Sequence, residues 1–179
     1  MGVPGAWVAG DLGHPEEHNR TWQRGALWLK FNQVSTVVTV QQDRYVIAGT
    51  SETDPSLNRG FDHVVDGNVL EVTGQGGMFH VTATGTVESA NNAVVGIYLA
   101  VSRDPEAALN PGAAGSTPSD RISESEVYVT MPGTARPTAF AVQALTDLSH
   151  GDRVYAIVQN RNGTQDIRVE FLHLVATAV

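Results

Sequence analysis

Cysteine is missing from all 179 residues. Its absence excludes a disulfide framework, a thiol nucleophile, a thiolate zinc site and an iron–sulfur cluster. Lysine occurs once, at Lys30, and Lys and Arg together number 11 against 19 Asp and Glu. The resulting net charge of −8 leaves no basic stripe of the kind that nucleic acid requires. Charged residues make only 17% of the chain, against a usual ~25%. No apolar run approaches the roughly 18 residues of a membrane span. The opening Met1–Trp7 has neither the basic start nor the apolar core of a Sec-type signal peptide. Gly2 follows Met1, but Ala6 breaks the myristoylation pattern. No Gly-x-Ser-x-Gly nucleophile elbow occurs. No cofactor is expected, and neither nucleic acid nor a membrane is an expected partner.

What is present favours strands. Val and Thr together supply 40 residues, and both are β-branched. Phe79, Val81, Ala83, Gly85 and Val87 alternate with His80, Thr82, Thr84, Thr86 and Glu88. That strict period of two predicts a strand with one buried face. Val94–Val101 is apolar on both faces, which predicts a strand covered on both sides. Further strands are expected at Val34–Val40, Asn68–Val72, Glu126–Thr130, Thr138–Leu145, Arg153–Gln159 and Ile167–Val175. Turn residues separate them at Asn91-Asn92, Pro132-Gly133, His150-Gly151-Asp152 and Asn162-Gly163. About eight strands so spaced, with no long helical pattern, predict an antiparallel sandwich. Ser102–Ile122 reads as a loop, and loops longer than about 15 residues are usually functional.

Residues 1–33 differ from the rest. They hold all three tryptophans, Trp7, Trp22 and Trp28, and their charges sum to zero, so the other residues carry the whole −8. The segment reads either as an arm that docks on something or as an N-terminal strand folded over its own domain. The domain division is therefore 1–33, a docking arm, and 34–179, a head.

Several constellations invite chemistry and have plainer explanations. His14-Pro15-Glu16-Glu17-His18 fits the His-x-x-Glu-His pattern of inverted zinc peptidases. It stands near the terminus of a small β-protein with no third ligand in view, so an exposed polar turn is the better reading. Gly74-Gln75-Gly76-Gly77 leads into a strand and not a helix, which makes it a turn or bulge instead of a phosphate cradle. Asp62, Asp66 and Asn68 offer hard oxygens but fit no calcium-loop template. No catalytic residue and no metal ligand is assigned.

Two resemblances go further. The run Gly77-Met78-Phe79-His80-Val81, then Val142–Leu148, then Gly151-Asp152-Arg153-Val154-Tyr155, then Val169-Glu170-Phe171-Leu172 resembles the trimeric jelly-roll heads of the tumour-necrosis-factor and complement type. The resemblance covers about residues 34–179. It implies an all-β, antiparallel jelly-roll sandwich with an N-terminal extended arm, assembled as a homotrimer with Phe79, Tyr155 and Phe171 at the trimer interface. Ala6-Trp7-Val8-Ala9-Gly10-Asp11-Leu12, followed by Glu16-Glu17-His18-Asn19, resembles the start of tailed-phage virion proteins, although His18 replaces the usual Leu. The two together look like a capsid decoration (cement) protein or head fibre of a bacteriophage. That implies a non-enzymatic structural protein on the capsid exterior of the virion, assembled in the host cytoplasm. Its partner would be the major capsid protein at threefold or quasi-threefold positions. Trp7, Asp11, Leu12, Trp22, Leu27 and Trp28 would form the capsid-binding arm. The alternative is a receptor- or glycan-binding head of a phage fibre or secreted lectin-like module, with the 102–122 loop as contact surface.

Overall fold

The structure is a computed structural model that describes residues 59–62, 69–103, 121–133, 136–163 and 165–179, with backbone alone at 24–29, 36–38, 45–47 and 63–64. Among the described residues there is no α-helix, and a 3-10 turn spans Ser123–Ser125. The strands are β1 (Arg24–Leu29), β2 (Thr36–Val38), β3 (Tyr45–Ile47), β4 (Phe61–Val64), β5 (Val69–Val72) and β6 (Gly77–Glu88). They continue with β7 (Val94–Ser102), β8 (Val127–Thr130), β9 (Thr138–Leu148), β10 (Arg153–Asn160) and β11 (Ile167–Ala178). Two antiparallel sheets result. The first has the order β1-β11-β6-β9, with β2 also on β11. The second has the order β4-β5-β10-β7-β8, with β3 also on β10.

The expected sandwich is what forms. Along β6, Phe79, Val81, Ala83, Gly85 and Val87 are buried while the residues between them are only partly so. Both faces of β7 are buried from Val95 onward, as a strand apolar on both sides requires. The inner faces meet in one core that includes Leu70, Ile97, Leu99, Phe140, Leu148, Leu172 and Leu174. Phe61 and Phe79 anchor it edge to face, with centroids 5.4 Å apart. A second cluster of Val69, Tyr98, Ala100, Tyr155 and Ile157 lies on the outer face of the second sheet. The turn at Asn91-Asn92 forms as expected, with Asn92 at a φ of 61° that Asn tolerates better than most residues.

Two strands escaped the sequence pattern: β3 and β4. β3 has three residues, too few to display a period. β4 interrupts its apolar positions with Asp62 and His63. β1 falls inside the segment assigned to the arm. Its backbone pairs with β11 through six residues, from Arg24↔Thr177 to Leu29↔Leu172. Residues 24–29 therefore pair within the first sheet, as the reading of an N-terminal strand folded over its own domain expects. The candidate zinc residues and most of the 102–122 loop lie outside the described residues, as do Asp66 and Asn68.

Candidate functional site: the open face of the first sheet

β11, β6 and β9 each turn one row of side chains into the core and one row outward. On β6 the outward row is His80, Thr82, Thr84 and Thr86. On β9 it is Ala139, Ala141, Gln143 and Leu145, all exposed, with Leu145 at 65%. β11 contributes Phe171, His173 and Val175, each half-buried. An irregularity between Val169 and Phe171 sets the phase of that row. Val169 and Leu172 both face the core, so Glu170 and Phe171 share the outer side, the signature of a bulge.

The register places these rows side by side. Thr84 stands between His173 and Ala141, and Thr86 between Phe171 and Ala139. His80 lies abreast of Leu145, and its Nε2 is 3.3 Å from Gln143 Oε1. The composition of this face is unusual for a chain with net charge −8. No Asp, Glu, Lys or Arg occurs in 79–87, 138–146 or 171–179. On these three strands formal charges appear only toward the two ends, at Asp147 on one side and at Glu88, Arg168 and Glu170 on the other. The surface is a broad plane of small hydroxyl, methyl and aromatic groups. Surfaces that meet another protein are depleted of charge at their centre in this way.

The residues named from sequence for the trimer interface part company here. Phe171 lies on the open face. Phe79 does not: it is fully buried in the sandwich core and has no surface left for a partner. Tyr155 is 1% exposed and packs in the second cluster, on the far side of the other sheet. Of the arm residues, Leu27 and Trp28 belong to β1, opposite Leu174 and His173 of β11. Trp7, Asp11, Leu12 and Trp22 lie outside the described residues. Sequence reasoning missed Thr82, Thr84, Ala141, Gln143 and Leu145. The signal was available, because the same alternation that buries Phe79 sends the threonines outward. Among the described residues, no group of three or more His, Asp or Glu side chains converges as metal ligands would.

Comparison with known proteins bears on this geometry. No family model matches the sequence, and no curated protein matches it. The solved structure of Eiger TNF from S. frugiperda is similar at 15% identity, covering 87% of this chain and 94% of that one, with a TM-score of 0.55. The chain has a tumour-necrosis-factor-like jelly-roll fold. Murine APRIL, crystallised at pH 5.0, aligns at 14% identity over 86% of this chain and 98% of that one, with a TM-score of 0.46. In this jelly roll the uncharged plane is the outer side of the sheet that carries β1, β11, β6 and β9.

Proposed function

We propose that this chain is a non-enzymatic virion protein, a homotrimeric decoration protein that binds the outside of a tailed-phage capsid through its N-terminal arm. The observation that carries the trimer is the uncharged outer plane of β11, β6 and β9. A plane this poor in charge favours burial against copies of itself, and a closed threefold ring hides it on all three subunits at once. The arm supplies the contact with the capsid. Its resemblance to virion proteins rests on Trp7, Gly10, Asp11 and Leu12. Three arms on one trimer convert three weak contacts into one strong attachment. A capsid offers threefold and quasi-threefold points that match such a trimer in symmetry.

Because β1 pairs with β11, the segment to remove is 1–22, which leaves the first sheet intact. Light scattering behind size exclusion should give about 57 kDa, three times 19.1 kDa, for the full chain and close to that for the shortened one. A monomeric full chain would sink the trimer. Co-sedimentation with phage capsids should capture the full chain and leave the shortened trimer in the supernatant. Equal capture of both would remove the arm from the attachment.

A further inference from the structure

Side chains from β7, β8 and β10 and the turn that follows β10 converge on the outer face of the second sheet, beside its β8 edge. Gly96 pairs with Tyr128 on one side and with Gln159 on the other. Lacking a Cβ, Gly96 leaves room for the Tyr98 ring to fold across it; the Tyr98 hydroxyl stands 2.7 Å from where that Cβ would be. The hydroxyl donates to Gln159 Oε1 at 3.2 Å. The two tyrosine rings meet at 90° with centroids 6.4 Å apart. Tyr98 is wholly buried, whereas Tyr128 keeps 49% of its surface open.

Two arginines flank the rings. The Arg121 guanidinium lies 4.9 Å from the centre of Tyr98 and pairs with Glu126 at 3.8 Å. The Arg161 guanidinium lies 5.5 Å from the centre of Tyr128, and its Nη1 donates to Gln159 Oε1 at 3.3 Å. Among the described residues, Arg161 has no carboxylate partner. Its backbone is nevertheless fixed. The Arg161 amide donates to Val94 O at 2.8 Å. The next residue, Asn162, accepts the Val94 amide at 2.7 Å and donates to Asn92 O at 2.9 Å.

An exposed tyrosine braced by a buried one, beside a positioned arginine with no acid of its own, is a site prepared for two demands at once. The ring asks for an apolar face. The guanidinium asks for a planar anion. A free phosphate satisfies only the second, and a neutral sugar only the first. We infer that Tyr128 and Arg161 form a subsite for an acidic sugar, a pyranose bearing a carboxylate. Its C–H face packs on Tyr128, and its carboxylate takes the Arg161 guanidinium.

The location adds a role. Arg161 lies beside the turn between β6 and β7, whereas Arg24, where β1 begins, pairs with Thr177 at the other end of the sandwich. The two are separated by roughly 30 Å, most of the length of β6 at ~3.3 Å per residue. On a head held by its arm, the subsite points away from the attachment and toward a bacterial surface. Only this orientation rests on the proposed capsid role; the binding does not.

The test is ligand-observed NMR on the full chain, with trigalacturonate and its neutral counterpart galactotriose as probes. Trigalacturonate should bind saturably and galactotriose should not. Tyr128→Ala and Arg161→Gln should each weaken binding by about tenfold, the scale of losing one hot-spot contact. Tyr128→Phe should retain it, because the ring and not the hydroxyl does the packing. Both side chains are exposed, so each variant should keep the wild-type circular dichroism. Absence of saturable trigalacturonate binding would overturn the inference, as would equal binding of galactotriose or unchanged binding by Tyr128→Ala and Arg161→Gln. A capsid experiment that fails leaves this result standing, and the reverse holds too.

Discussion

Asp152 lies in the turn between β9 and β10 with its side chain 5% exposed. Its Oδ2 accepts the Ser149 amide at 2.8 Å and faces Arg103 Nη1 at 3.1 Å. The neighbouring Gly151 takes a φ of 87°, which a side chain resists. Gly-Asp is thus a single local device: the glycine turns the chain and the aspartate closes the turn. Asp152→Ala removes the nearly buried carboxylate that accepts the Ser149 amide. It should cost on the order of 1–3 kcal/mol in urea unfolding. Arg103 is 59% exposed on its side chain, so Arg103→Ala should cost about 1 kcal/mol or less. Equal losses from the two would mean that the ion pair, and not the turn, is what Asp152 supplies. This motif was legible in sequence because its partners lie within three residues. The Tyr98, Tyr128 and Arg161 cluster was not. Its members come from β7, β8 and the end of β10, and only the pairing of those strands makes them neighbours.

Strands with strict alternation were the most legible elements. β6 and β9 expose their inner and outer rows directly in the order of residues. β7 and β10 carry apolar side chains on both faces, so the order alone cannot say which row meets the core. Tyr155 was misplaced for that reason. Phe79 had no such excuse: it shares the parity of Val81 and Ala83, which already assigns it to the interior. β1 stayed one of two readings because its strand status depends on β11, far away in sequence. The edge of β7 shows another long-range device. β8 pairs with β7 only as far as Ile97. Beyond it, the Leu99 amide donates to Ser125 Oγ at 2.8 Å, and Leu99 O accepts the Ile122 amide at 2.9 Å. Ser125 Oγ in turn donates to Ile122 O at 2.7 Å. A 3-10 turn thereby completes a sheet edge that no strand covers among the described residues. Ser125→Ala should cost about 1–3 kcal/mol by orphaning the Leu99 amide. Native-state hydrogen exchange should find that amide deprotected ahead of its neighbours. Unchanged protection at Leu99 would show that the hydroxyl is dispensable.

For the whole molecule, the proposed assembly turns on the outer plane of the first sheet. Thr84 lies at its centre, flanked by β9 and β11. Thr84→Glu places a charge where three strands otherwise have none. In a lone chain that carboxylate stays hydrated and the fold tolerates it. In a trimer it loses its water against another subunit, at a cost of several kcal/mol. Light scattering should therefore report a folded monomer. A trimer that survives Thr84→Glu would mean that the plane faces solvent and that assembly uses another surface. The fold class followed from residue order because burial parity is local. The choice of the sheet proposed to face a partner did not, because it depends on how rows from β6, β9 and β11 combine.

The six-residue pairing of β1 with β11 also has a mechanical meaning. Arg24 stands at the very end of that ladder, next to Thr177, on the side toward residues 1–22 in sequence. A pull on the arm along the strand axis loads the rungs from Arg24 to Leu29 together, in shear. A pull across the sheet would open them one at a time, like a zipper. If residues 1–22 tether the head as proposed, it would be stiff against forces that lift it off its support and compliant against forces that tip it sideways.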